Sequence, residues 1–333
     1  MIKMNKKLSL FGMIIFCFSC LALAEGPGSS GGMMLTQPMG ARPLAMGEAF
    51  TSIKGEVTCI NYNPAGLASL KDSQLYLFQQ TGIFEDAYQS VNLAVPFKEN
   101  TLGEGVIGLS ACNYDAGDIE LVDNTAYASR TVKAEQDRLI SIAYSAKIGK
   151  EVNYGVRAKS FDSNLVQEFS ASVLAFDAGV QYYKKNITIG LLAQNYGSTI
   201  KYLNVESPIP ANVRVGINLK PKRQLSVSLD IIKPIDTGVQ ENIGFEYLLI
   251  KGLTLRGGYK IGYSLDSASA GIGIAIGPMR IDYGMLIMGE VSSVNNISIL
   301  YKFAKPSPGT TDKPKQPGYI PEEQSSIEVK NEG

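Results

Sequence analysis

The side chains that could do chemistry in this chain are few in kind: 31 Lys and Arg, 31 Asp and Glu, four Cys and no His. Without imidazole, Ser-His-Asp hydrolysis, Cys-His proteolysis and most zinc sites are excluded. Carboxylates alone can hydrolyse peptides when they share one site, but no paired acidic motif occurs, so no enzyme is expected. Catalytic residues, metal ligands and cofactor-binding residues are all expected to be none. What remains is charge at regular spacing. Arg214, Asp230, Glu246 and Arg256 each fall on the polar edge of an alternating stretch. Such a set can neutralise itself as a ladder of ion pairs across four successive strands in a partly wet interior, or it can hold a charged headgroup. The ladder is the simpler account. Cys59 and Cys112 suit one disulfide in an oxidising compartment about as well as two small buried thiols.

The elements that must position these charges are strands. From Ser73 to Phe303 the chain repeats stretches of roughly eight to eleven residues, the length of a tilted membrane-crossing strand, and fourteen can be read. Ile140, Ile142, Tyr144, Ala146 and Ile148 form one apolar edge; Val213, Val215, Ile217 and Leu219 form another. The apolar edges carry no charge, whereas the opposite edges hold Arg157, Lys159, Asp177, Arg280 and Asp282 with glycines among them. Alternation of this kind also suits a soluble sandwich. A membrane barrel is favoured by the even strand count, the uncharged edges and the connections, which alternate short turns such as Gly277-Pro278 with longer loops, notably Asp115 to Gln136 and Gly197 to Pro210. Backbone polar groups in lipid must pair internally, so the sheet must close. The closing strand carries Ile297, Ile299, Tyr301 and Phe303 toward lipid and pairs with the first strand around Leu75 to Gln80. The expected fold is all-β: a transmembrane antiparallel barrel of fourteen strands over residues 73–303, with a small N-terminal plug.

The remaining segments follow from composition. Residues 1–24 have a positive start, an apolar run and an Ala22-Leu23-Ala24 ending, the pattern of a cleaved secretory signal peptide. Removing Lys3, Lys6 and Lys7 leaves 28 basic against 31 acidic residues, so no basic field large enough for nucleic acid exists. Residues 25–72 do not alternate. Their small residues and Asn-Pro step favour short helices and tight turns, expected as a plug inside a barrel too wide for side chains alone to fill. Residues 304–333 are Pro-rich and are expected to be a disordered periplasmic tail.

Gly40-Ala41-Arg42, Met46-Gly47 and Ala49-Phe50, followed by Asn63-Pro64-Ala65-Gly66-Leu67, resemble the start of FadL-type (OmpP1/TodX-like) outer-membrane transport barrels, and within that superfamily the PorV/PorQ family. Phe176-Asp177-Ala178-Gly179-Val180, Leu229-Asp230-Ile231 and Leu255-Arg256-Gly257-Gly258-Tyr259 extend the resemblance in order along the chain. It implies a fourteen-stranded barrel with a hatch near Asn63, Pro64 and Ala65. It further implies an outer-membrane location, insertion by the barrel-assembly machinery, and contact with lipid. FadL-like members take hydrophobic small molecules; PorV-like members bind secreted proteins or secretion machinery. A structural or adhesive surface barrel is the further alternative. The chain departs from the pattern at Glu48, where the family usually has a second glycine, at Tyr62, which replaces a tryptophan, and at Lys54-Gly55-Glu56, which lacks an acidic pair.

Overall fold

The computed structural model describes residues 28–82, 86–99, 103–123, 128–264, 267–288 and 292–303. The expected signal peptide and tail lie outside the described residues. Strands β1 (Gln74–Thr81), β2 (Ala87–Glu99), β3 (Gly103–Asp115), β6 (Glu135–Ile148), β7 (Val152–Leu165), β8 (Phe169–Lys184) and β9 (Ile187–Gly197) make one half of a closed barrel. The other half is β12 (Asn212–Lys222), β13 (Leu225–Pro234), β14 (Gln240–Ile250), β15 (Leu253–Ile261), β16 (Ser267–Ile276), β17 (Met279–Met288) and β18 (Ser292–Lys302). All neighbours are antiparallel. Closure sets Leu75 opposite Tyr301, Leu77 opposite Ile299 and Gln79 opposite Ile297, so no edge is left open.

Two loops expected from sequence are instead hairpins. Asp115 to Gln136 continues as the ribbon β4 (Asp118–Asp123) with β5 (Ala128–Lys133), and Gly197 to Pro210 contains β10 (Ile200–Tyr202) with β11 (Val205–Ser207). Short runs such as Ile119 opposite Val132 and Tyr202 opposite Val205 supply the β-branched and aromatic pairs that let a ribbon form. A bulge between Leu219 and Lys222 carries β12 through Lys222, which pairs with Leu225.

The pleat decides what each residue meets. Outward residues have no protein cover: Ile142 is 54% exposed, Leu174 58% and Ile297 53%. In water this would be an aggregating surface, and in bilayer hydrocarbon it is a matched one. Inward neighbours are covered; Leu300 and Asp230 are fully buried. The cover comes from residues 28–70, which contain a 3-10 turn (Met33–Thr36), helix α1 (Ala41–Ala45), helix α2 (Cys59–Tyr62) and a 3-10 helix (Pro64–Ser69). Gly31 donates to the Pro208 carbonyl at the long-hairpin mouth, and Ser69 accepts from Asn153 at the short-turn mouth. The segment thus runs the length of the lumen. Phe50 and Tyr62 pack with their ring planes tilted by 53° and centroids 5.2 Å apart, and each buried large side chain contributes about 1.5–3 kcal/mol.

Candidate functional site

The inner segment meets the wall where the wall has no side chains. Inward positions on neighbouring strands are glycines: Gly155 and Gly179 face each other across β7 and β8, Gly190 and Gly216 across β9 and β12, Gly244 and Gly258 across β14 and β15, Gly271 and Gly284 across β16 and β17. A Cβ on Gly155 would come within 2.5 Å of the Ala65 nitrogen, and one on Gly271 within 2.5 Å of the Ala45 Cβ. A Cβ on Gly258 would overlap Gly47, one on Gly244 the Met46 carbonyl, and one on Gly179 the Asn63 side chain. The segment's backbone lies directly on the sheet.

Inward polar side chains then satisfy that backbone, as buried groups require. The Asp230 carboxylate accepts from the N–H groups of Phe50 at 2.9 Å and Thr51 at 2.8 Å. Gln181 donates to the carbonyls of Thr51 and Ile53, Gln194 to that of Asn61, and Ser145 to that of Ala65. Asn63 caps the 3-10 helix by accepting from Ala65 at 3.1 Å, with Pro64 at its first position, where no N–H is needed. Its amide also donates to Thr51 at 2.9 Å and Leu191 at 3.3 Å. Gly66 is confined because a Cβ there would press on the Ile53 carbonyl and Cys59.

Gly40, at φ 124°, leads into α1 and leaves room for the Tyr76 hydroxyl, which accepts from Ala41. Met46 is fully buried beside Gly47, which has φ 58° and donates to Ser269 at 3.0 Å. Glu48 follows at φ 59°, the left-handed region that costs a non-glycine residue about 1–2 kcal/mol. A glycine would adopt this conformation without that cost. Here Glu48 pairs with Lys260 at 2.5 Å, a contact no glycine could make.

The four charges expected to form a ladder do not form one. Arg214 bonds Asn212 and makes no ion pair among the described residues, and Asp230 serves the segment's backbone. Glu246 and Arg256 do pair, at 2.7 Å, but inside a larger figure: a closed ring of six charges. Arg42 bonds Glu246 at 2.8 Å; Arg256 bonds Asp282 at 2.9 Å; Asp282 meets Arg280 at 2.7 Å; Arg280 meets Glu56 at 2.8 Å; and Glu56 returns to Arg42 at 2.6 Å. Three guanidinium groups alternate with three carboxylates, so the ring is neutral as a whole. Two members lie on the inner segment and four on β14, β15 and β17. Burial alone would push the Glu56 carboxyl up, but Arg280 and Arg42 beside it hold it well below the ordinary range. Sequence reading named Arg42, Glu246 and Arg256 and placed Arg280 and Asp282 inward; Glu56 it missed as a partner, since nothing local marks it.

Cys59 and Cys112 are both buried and are not joined by a disulfide. Burial pushes the Cys59 thiol up to about 12, which makes it an inert filler. At the long-hairpin mouth, β2, β3, β6, β7 and β8 shape a groove of about 1070 Å³. Gln89, Asn113, Arg138, Asp162 and Ser172 run along it as successive cross-strand partners. β6 to β8 are 14 to 16 residues long, more than the roughly 9–11 needed to cross hydrocarbon, so this part of the wall is longer than a membrane crossing requires.

The family described as type IX secretion system membrane protein PorP/SprF matches residues 60–299, more than half of the chain. No curated protein matches. Among solved structures, the Pseudomonas putida toluene transporter TodX is similar with a TM-score of 0.61 at 13% identity, covering 80% of this chain and 98% of its own. The Ralstonia pickettii toluene transporter TbuX (0.59, 15%, 80% and 98%) and a Pseudomonas aeruginosa FadL homologue (0.57, 12%, 80% and 99%) are similar too. At these identities the likeness concerns the fold alone.

Proposed function

The chain belongs to the type IX secretion system membrane protein family PorP/SprF, and from that premise we propose that this outer-membrane barrel is plugged, non-enzymatic, and presents secreted protein cargo at its long-hairpin mouth. The role is that of a PorV-like shuttle. The observation that carries the reading is the seating of residues 40–66 on the glycine-lined wall together with the six-charge ring: a lumen occupied this closely gives cargo no through-path. The barrel is wide enough to be a conduit, so filling it leaves the outer mouth as the working surface. That mouth has what protein recognition needs, a polar groove beside the β4–β5 ribbon, whose Val122 is 64% exposed.

Two arms test this with purified full-length protein. In liposomes it should pass neither small sugars nor toluene, and in cell extracts it should retain a protein bearing a secretion signal, with retention lost when residues 118–133 are replaced by a short turn. Toluene uptake would instead support the FadL-like transporter reading. Loss of cell adhesion on the same deletion, with no protein ever retained, would favour a structural surface role.

A further inference from the structure

We propose that the short-turn mouth is a binding collar for anionic phospholipid headgroups. Its cations sit at nearly every turn around the circumference. Lys150 lies in the β6–β7 turn, Lys184 and Lys185 at β8–β9, Lys222 and Arg223 at β12–β13, and Lys251 at β14–β15, all exposed. Lys98 and Lys302, near the ends of β2 and β18, continue the circuit, and only the Gly277-Pro278 turn interrupts it. Lys98 pairs with Glu104, whereas those six turn residues make no ion pair among the described residues. The opposite mouth is different in sign: Asp118, Glu120, Asp162, Glu168, Glu206 and Glu241 are exposed there against Arg130, Arg138 and Lys201.

What lies next to the collar identifies its occupant. Immediately inside it, facing outward, come Tyr144, Tyr154, Tyr182, Tyr247, Tyr301 and Phe303, each within four residues of a short-turn strand end. Tyr144 and Tyr154 are in contact at 6.3 Å between centroids, and Tyr301 and Phe303 at 5.0 Å. An aromatic girdle marks the level of the membrane–water interface. Cations one step beyond it stand at the depth of phosphate groups, where a basic residue near an anionic surface is stabilised. A soluble acidic partner would be met by cations gathered on one side. A ring broken at one short turn and otherwise carried around the barrel fits a surface that surrounds the barrel, as lipid does. With the short turns on the periplasmic side, the lipid is that of the inner leaflet of the outer membrane.

The test is native mass spectrometry of the detergent-solubilised full chain mixed with equal amounts of phosphatidylglycerol and phosphatidylcholine. Wild type should retain phosphatidylglycerol on the order of tenfold more at low salt, with the preference shrinking at high salt. The variant K150Q/K184Q/K185Q/K222Q/R223Q/K251Q should retain the two lipids nearly equally, and K184Q/K185Q alone should show a partial loss if the larger set does not fold. Equal retention by wild type, or a preference unchanged in the variants, overturns the proposal. So does a collar that binds a soluble acidic polypeptide while ignoring both lipids.

Discussion

Arg42 grips Glu246 with one edge of its guanidinium, Nε at 2.8 Å from one carboxylate oxygen and Nη2 at 3.0 Å from the other, across 204 residues of chain. The pair joins a five-residue helix inside the barrel to the wall. The fork geometry suits arginine and not lysine. Because Glu246 also receives Arg256, removing either partner leaves a charge stranded in a ring that was neutral.

Arg42→Met should therefore destabilise the folded barrel by about 3–5 kcal/mol, the usual result of breaking a buried pair from one side. Denaturant unfolding in detergent measures this. Amide exchange over residues 40–56 should rise in the same variant, while exchange in β6 and β7 should stay unchanged. Uniform protection would mean that the ring does not hold the inner segment.

Gly258→Ala should cost about 1–3 kcal/mol by overpacking, since the new methyl overlaps the backbone of Gly47. Gly238→Ala, at a position with open space around it, should stay within about 0.5 kcal/mol of wild type. Comparing the temperatures at which heat-modifiable gel migration is lost would separate the two.

Lys54 responds to alkali in a stated direction. Burial, with Lys220 and then Lys147 nearby, lowers it from 10.5 to about 8. The folded state therefore disfavours the charged form, and the penalty is fully present below about pH 8. Stability should rise between about pH 8 and 10.5 as the amine deprotonates in the folded state ahead of the unfolded one. Lys54→Met should flatten that part of the stability curve.

Glu56 works the other way. Its carboxyl is held low in the folded state by Arg280 and Arg42, so its contribution is complete above the unfolded value of about 4.3 and fades as pH falls below it. Glu56→Gln should reduce stability at neutral pH and make acid unfolding shallower.

Ile142→Arg places a charge on an outward position that is 54% exposed. In hydrocarbon this costs about 2–4 kcal/mol near the midplane, read as a lower yield of folded barrel in lipid vesicles. The same change on a water-facing surface would be nearly silent, so an unaltered yield would remove this face from the membrane.

The barrel was legible in the sequence because the pleat is local. A residue's neighbours two positions away share its face, so Ile297, Ile299, Tyr301 and Phe303 reveal one lipid-facing edge without knowledge of any other strand. Glycines on the inward edges were equally visible, though not what they were for. Closure also follows from a physical requirement, since lipid tolerates no unpaired strand edge.

What only the tertiary structure decided is which inward groups meet. Arg214 and Asp230 lie on adjacent strands and make no ion pair with each other, whereas Arg42 and Glu246, far apart in sequence, do. Strand register and the path of the inner segment set those contacts, and both are properties of the closed sheet. The same holds for Glu48, whose left-handed backbone and Lys260 partner appear only once the segment lies in the lumen. Alternation tells a side chain which medium it faces; the partner it finds there depends on contacts between distant parts of the chain, and no local pattern encodes them.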